Sequence, residues 1–150
     1  MKLCLLIIGA LVLFVLASYF LGYTPLLFGL LILCFSLASY SCYARDKRAA
    51  IAGRWRVPEN RLHLLALIGG WPGALLAQQR LRHKTKKTSF RIIFWMTVLT
   101  NTAAIAWLHA QGGQSQLRHA LHSIDAVVMR YVDLEVTTSL LLLTKLRGKP

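Results

Sequence analysis

From Leu3 to Ala44 the chain carries no charged side chain. A helix needs about 20 apolar residues to cross the roughly 30 Å hydrocarbon core of a bilayer. This stretch therefore predicts two spanning helices, over about residues 3–20 and 26–43, with Gly22-Tyr23-Thr24-Pro25 as the turn between them. A further apolar run over about 92–108, with Trp95 and Trp107 near its ends, predicts a third. Small residues recur in the first two runs (Gly9, Ala10, Ala17, Ser18; Gly29, Ser36, Ser39), which lets membrane helices approach closely. Tyr19, Tyr23, Tyr40 and Tyr43 fall near span ends, where aromatic rings favour the interface. Asn101 in the third run is expected to face other helices and hydrogen-bond there. Lys2 before an apolar run has the outline of a signal peptide. The run is long for one, however, no small-x-small cleavage site follows, and a second span begins at once, so a retained first span is expected.

Between the second and third runs the pattern conflicts with itself. Leu62 to Gln79 is apolar but lies between two basic stretches, Arg45 to Arg61 and Arg80 to Arg91. Were it to span, the two would face opposite sides of the membrane, against the tendency of Lys and Arg to gather in cytoplasmic loops. The segment also carries Gly69-Gly70 and Pro72-Gly73 at its middle. Proline removes a backbone donor and clashes with the preceding turn, and glycine suits a helix end. Residues 58–84 are therefore predicted to form two half-helices. The first starts at Pro58-Glu59 and stops at Gly69-Gly70; the second starts at Pro72 and runs to about Lys84. Together they make a re-entrant helical hairpin, whose irregular tip needs covering by protein or water. A kinked spanning helix is the alternative.

The pattern changes again beyond Gln111. Leu117, Leu121, Ile124, Val128 and Tyr131 fall on one helical face. Arg130, Asp133 and Glu135 make this a poor span, so residues 111–150 are expected to form an amphipathic tail, with Lys145, Arg147 and Lys149 near headgroups. The expected class is all-α: a small polytopic membrane domain over 1–110 with about three transmembrane helices, a re-entrant hairpin and a C-terminal amphipathic helix.

The 150 residues include 18 Lys and Arg against 5 Asp and Glu, a net charge of +13. Such a balance raises nucleic acid as a partner, but a basic cytoplasmic face beside spans accounts for it, and no nucleic acid is expected. Cys4, Cys34 and Cys42 are odd in number, scattered, and without metal-ligand spacing.

The basic segment contains Asp46-Lys47-Arg48-Ala49-Ala50, Trp55-Arg56-Val57-Pro58-Glu59, Leu62-His63-Leu64-Leu65, Gly69-Gly70-Trp71-Pro72-Gly73 and Arg82-His83-Lys84-Thr85-Lys86-Lys87, then Phe90. This run resembles the bacterial membrane family called domain of unknown function 1294, over roughly Pro25 to Ala110. The resemblance implies an inner-membrane location and no assigned reaction. Some members carry a cold-shock nucleic-acid-binding domain ahead of the membrane part. This sequence opens on an apolar span, and that module's function is not carried over.

Read for chemistry, Arg54, Arg56, Arg82, His83, Lys84 and Lys87 are candidates for holding anionic phospholipid headgroups, because Arg grips phosphate with paired hydrogen bonds. Asp46, Lys47, Pro58, Glu59, His63, Gly69, Gly70, Pro72 and Gly73 are expected to be structural. Glu59 and His63 stand four apart and share a helix face. The pair suits acid–base work, or a local hydrogen bond near the headgroups. His119 and His122 lack a third ligand for a metal. No catalytic set, metal or cofactor is expected. The function read from these residues is that of a structural or lipid-facing membrane protein, with membrane lipids, a second copy or another membrane protein as partners. The alternatives are a membrane-embedded enzyme acting on a lipid headgroup and a small oligomeric transporter.

Overall fold

A computed structural model describes residues 2–82, 87–131 and 141–145. Its elements are helices throughout: α1 Lys2–Phe20, α2 Leu26–Ile51, α3 Glu59–Leu65, α4 Trp71–Leu81, α5 Thr88–His109 and α6 Gln111–Tyr131, with a wide turn, Ala66–Gly70, joining α3 to α4. No strand occurs among the described residues. Among the described residues two helices, α2 and α5, are long and apolar enough to cross a membrane; Cys4–Phe20 of α1 is apolar and shorter.

Helix α2 continues past the apolar run through Arg45–Arg48 to Ile51. What stops it is Gly53, at φ +61°, with the Arg54 N–H donating to Ala49 O at 2.9 Å. That is a left-handed glycine cap, and it sets the helix end where the charge boundary does not. Pro58 is the residue before α3 and not its first helical residue. The regular part of α3 ends at Leu65, and the break follows at Ile68 and Gly69 (φ 110°). Gly70 caps α4, with Pro72 in its first turn. α4 ends earlier than Lys84, at Leu81, because Arg82 turns left-handed at φ 48°.

The chain divides into two compact units. The first comprises Met1–Val12 and Leu31–Ala103. Its core is Tyr43, Leu62, Ala66, Trp71, Ala74, Leu75, Ala77, Phe90, Phe94 and Val98, together with Cys4 from the start of α1. Ala74 and Ala77 are fully buried, and Gly70 and Gly73 stand four residues before each. These small residues form a seam along α4 that lets its backbone press on α2. A Cβ on Gly73 would lie 1.8 Å from Ser36 O, and one on Gly70 would lie 2.6 Å from Phe35 O. Gly69 is different. Its nearest neighbour is an Ile32 side-chain carbon at 3.8 Å, so the turn uses its backbone freedom and not its small size. Ser39 is fully buried in this unit, and the hydroxyls of Ser36 and Ser39 meet no hydrogen-bond partner among the described residues.

The second unit comprises Leu13–Leu30 and Ala104–Pro150. Gly22 (φ 80°) ends α1 with a Tyr23 N–H bond to Ser18 O at 2.9 Å. The hydroxyl of Ser18 lies 2.9 Å from Thr24 Oγ1 and 2.8 Å from His109 Nε2. Nδ1 of His109 reaches Ile105 O at 2.8 Å, which leaves Nε2 free to accept from Ser18 in the neutral ring. Phe14 and Tyr23 pack against the imidazole, at 5.0 and 5.6 Å between ring centroids. Leu121 of α6 is buried, and Asp125 accepts from Thr144 at 2.8 Å. Asp133, Glu135, Arg147 and Lys149 lie outside the described residues.

Candidate functional site

Of the residues singled out from the sequence, Asp46, Lys47, Arg56, Glu59 and Lys87 gather at one end of the first unit. Ser36, Ser39, Tyr43 and Asp46 share a face of α2 by their three- and four-residue spacing. Asp46 is fully buried. A buried carboxylate is costly unless hydrogen-bonded and paired, and Asp46 Oδ1 accepts from Val57 N–H at 3.1 Å and faces Arg56 Nε at 3.5 Å. One acid on α2 thereby fixes the loop that leads into α3. Beside it, Lys47 Nζ donates to Leu81 O at 2.7 Å, placing a cation on the C-terminal carbonyls of α4, where the helix dipole favours it. One turn earlier, Gln78 Nε2 donates to the buried Tyr43 hydroxyl at 3.3 Å.

The start of α5 joins the same group. Lys87 Nζ donates to Glu59 Oε2 at 2.8 Å. Phe90 is buried with its ring centroid 4.3 Å from the His63 ring and 6.2 Å from Tyr43. The beginning of α3, the end of α4, the charged end of α2 and the start of α5 therefore lie at one level. The α3–α4 pair leaves from and returns to that level.

The turn between α3 and α4 lies elsewhere along the bundle. Gly70 is against Phe35, eleven residues before Asp46, or about 16 Å at 1.5 Å per residue. From α5, Asn101 Nδ2 donates to Leu67 O at 2.9 Å, with Ala66 O at 3.4 Å and its own Thr97 O at 2.9 Å. Asn101 thus hydrogen-bonds another helix as expected, and its partners are the carbonyls of the turn. Those are the groups that a broken helix exposes.

Of the candidate headgroup residues, Arg54, Arg56, Arg82 and Lys87 are exposed, and His83 and Lys84 lie outside the described residues. Arg54 stands in the loop after α2, Arg56 beside Asp46, and Arg82 one residue past α4. Loop residues 53–59 line an open depression of about 570 Å³. Sequence reading assigned no role to Trp55, which is 95% exposed within this loop; its signal was an aromatic ring between two arginines. It also left out Gln78 and His109, which carry no local pattern and meet Tyr43 and Ser18, respectively, across helices. No group of three His, Cys, Asp or Glu side chains suited to a metal occurs among the described residues.

Residues 36–90 match the family model described as Protein of unknown function (DUF1294). The resemblance read from the motifs is thus borne out over the segment that builds this cluster, which lies inside the Pro25 to Ala110 stretch. The chain is also similar to the Uncharacterized protein YsdA of Bacillus subtilis (strain 168), at 48% identity over 46 residues. That alignment covers 31% of this chain and 52% of YsdA, so the chain spans about half the length of this relative. No solved structure matches the chain.

Proposed function

We propose that this is a multi-pass protein of the bacterial cytoplasmic membrane, a structural or lipid-facing binding protein whose basic face engages anionic phospholipid headgroups. α1, α2 and α5 cross the bilayer. The α3–α4 hairpin enters from the cytoplasmic side and returns to it, and the basic loops lie in the cytoplasm. The observation that carries this reading is how little of the apolar helices the protein itself buries. Only 11% of the apolar stretch of each of α2 and α5 is buried, whereas the core helix of a soluble protein would be mostly enclosed. Leu6, Leu13, Leu37, Ile92 and Leu99 are each at least 60% exposed. So large an apolar surface calls for lipid.

The hairpin reading rests on the common level of Glu59, Leu81, Asp46 and Lys87, with a turn about 16 Å away, short of the roughly 30 Å needed to cross. Anionic lipids concentrate on the cytoplasmic surface and favour each nearby basic residue by about 1 kcal/mol. The test is cysteine accessibility in a background lacking Cys4, Cys34 and Cys42. Arg54→Cys and Thr88→Cys should both react only when the inner face is opened, and Tyr23→Cys from outside. Opposite sidedness at positions 54 and 88 would overturn the hairpin and restore a kinked span.

A further inference from the structure

One surface feature is not accounted for by general attraction to anionic lipid. The loop Gly53–Glu59 holds a tryptophan almost wholly in the open, beside Ile51 at 77% exposure. Removing an indole of this size from water is favourable, and no described residue covers it. The loop is nonetheless fixed at both ends. Gly53 turns the chain back at φ +61°, with the Arg54 N–H held by Ala49 O. At the other end, Val57 N–H is bonded to the fully buried Asp46. The loop is therefore drawn back from the end of α2 to the level of Asp46. In the membrane reading, this level is the basic, headgroup end of the helices.

Two arginines flank the ring. Arg54 makes no ion pair among the described residues. Arg56 turns Nε toward Asp46 at 3.5 Å while its side chain stays 52% exposed, so part of its guanidinium fork still faces outward. The one acid at the rim of the depression, Glu59, is matched by Lys87 at 2.8 Å and does not repel an anion as a bare carboxylate would. We propose, resting on the membrane reading, that the Arg54-Trp55-Arg56 loop is a clamp for the phosphate of a single membrane phospholipid. The two guanidiniums hold phosphate oxygens, and the indole lies against the glycerol backbone at the interface. Guanidinium forks match phosphate geometry, and an amphipathic indole is at home between headgroup and hydrocarbon. A loop already fixed at both ends loses little freedom on binding. A general basic collar would have no use for the tryptophan or for the choice of arginine.

The experiment uses the full chain in nanodiscs of phosphatidylglycerol diluted in phosphatidylcholine, with retained lipids counted by native mass spectrometry. Wild type should keep one phosphatidylglycerol preferentially. Trp55→Ala and Arg54→Gln should each lower that retention about ten-fold, the scale of losing one buried aromatic or arginine anchor. Arg54→Lys should also lower it although charge is conserved, and Arg45→Gln, outside the loop, should leave it unchanged. Retention that follows total charge alone, with Trp55→Ala silent, overturns the clamp. Inorganic phosphate at millimolar concentration should displace little lipid; displacement equally efficient in wild type and Trp55→Ala would assign the arginines to free phosphate and overturn the lipid assignment. Because Trp55 is exposed, its replacement should not affect folding, and Trp55→Ser provides a second check. Failure of wild type to enter nanodiscs would strike the membrane reading itself. Normal entry with unaltered lipid retention in the variants would strike only the clamp.

Discussion

The two units solve the same packing problem by opposite means. In the unit of Met1–Val12 and Leu31–Ala103, α4 lies on α2 through a seam of Gly70, Gly73, Ala74 and Ala77, and the buried hydroxyls of Ser36 and Ser39 go without partners among the described residues. In the other unit a serine is also buried, at 4% exposure, but its hydroxyl is bonded on two sides, to Thr24 and His109. Serine in the first case serves as a small residue, and in the second as a polar link. Equal burial of the same residue type thus carries opposite energetic meaning, and only its neighbours reveal which. The DUF1294 match falls on the first kind of packing. There, close backbone approach leaves little tolerance for change.

The largest expected effect is at Gly73. An added side chain meets the backbone of α2, which cannot rotate away. Gly73→Ala should destabilise by about 3 kcal/mol or more, the upper end for overpacking, and Gly73→Leu should abolish accumulation of folded protein. Gly9→Ala, where a Cβ meets nothing within 4 Å, should be silent. Thermal unfolding in detergent measures both, and a wild-type melting curve for Gly73→Ala would refute the close seam.

Asn101→Ala comes next. It removes the donor to Leu67 O and Ala66 O and leaves carbonyls of the turn to find other partners. A loss of about 1–2 kcal/mol is expected, within the range for interhelical hydrogen bonds in membranes. Increased proteolysis or cysteine reactivity near Leu67 would report the loosened turn, and unchanged reactivity would show that the turn holds without α5.

The two serines give the sharpest contrast. Ser18→Ala should destabilise by about 1 kcal/mol, since Thr24 and His109 each lose a partner. Ser39→Ala should be neutral or slightly stabilising, because it removes a buried hydroxyl that had no partner among the described residues. If both substitutions move stability in the same direction by the same amount, the contrast between the units fails. The smallest effect is expected at the ion pair of Lys87 with Glu59, whose side chains are 56% and 34% exposed. Lys87→Met should change stability by less than about 1 kcal/mol, and less again at high salt.

Much of the architecture was legible in the chain itself. An uncharged stretch from Leu3 to Ala44 broken at Gly22–Pro25 pointed to two apolar helices, because a helix bonds its backbone polar groups within its own segment. The break between α3 and α4 followed from Gly69-Gly70 and Pro72, whose backbone restrictions are local properties. That α2 runs on to Ile51, past the uncharged stretch, was not read from the pattern of charge, because Gly53 sets the helix end. Which glycine serves conformation and which serves contact was not readable either. Gly69 and Gly70 are neighbours in sequence, yet only the second meets the backbone of α2.

What the sequence determined by itself, then, is periodicity, polarity and the few backbone positions where glycine or proline dictates a turn. These are set within a few residues along the chain. What only the tertiary structure decided are the pairings: Asp46 with Val57 and Arg56, Lys47 with Leu81, Asn101 with the turn, Ser18 with His109. Those partners stand from 10 to 91 positions apart, so no local pattern encodes them. They form because packed helices bring otherwise unsatisfied polar groups within reach of one another, where leaving them unbonded would cost more than ordering them.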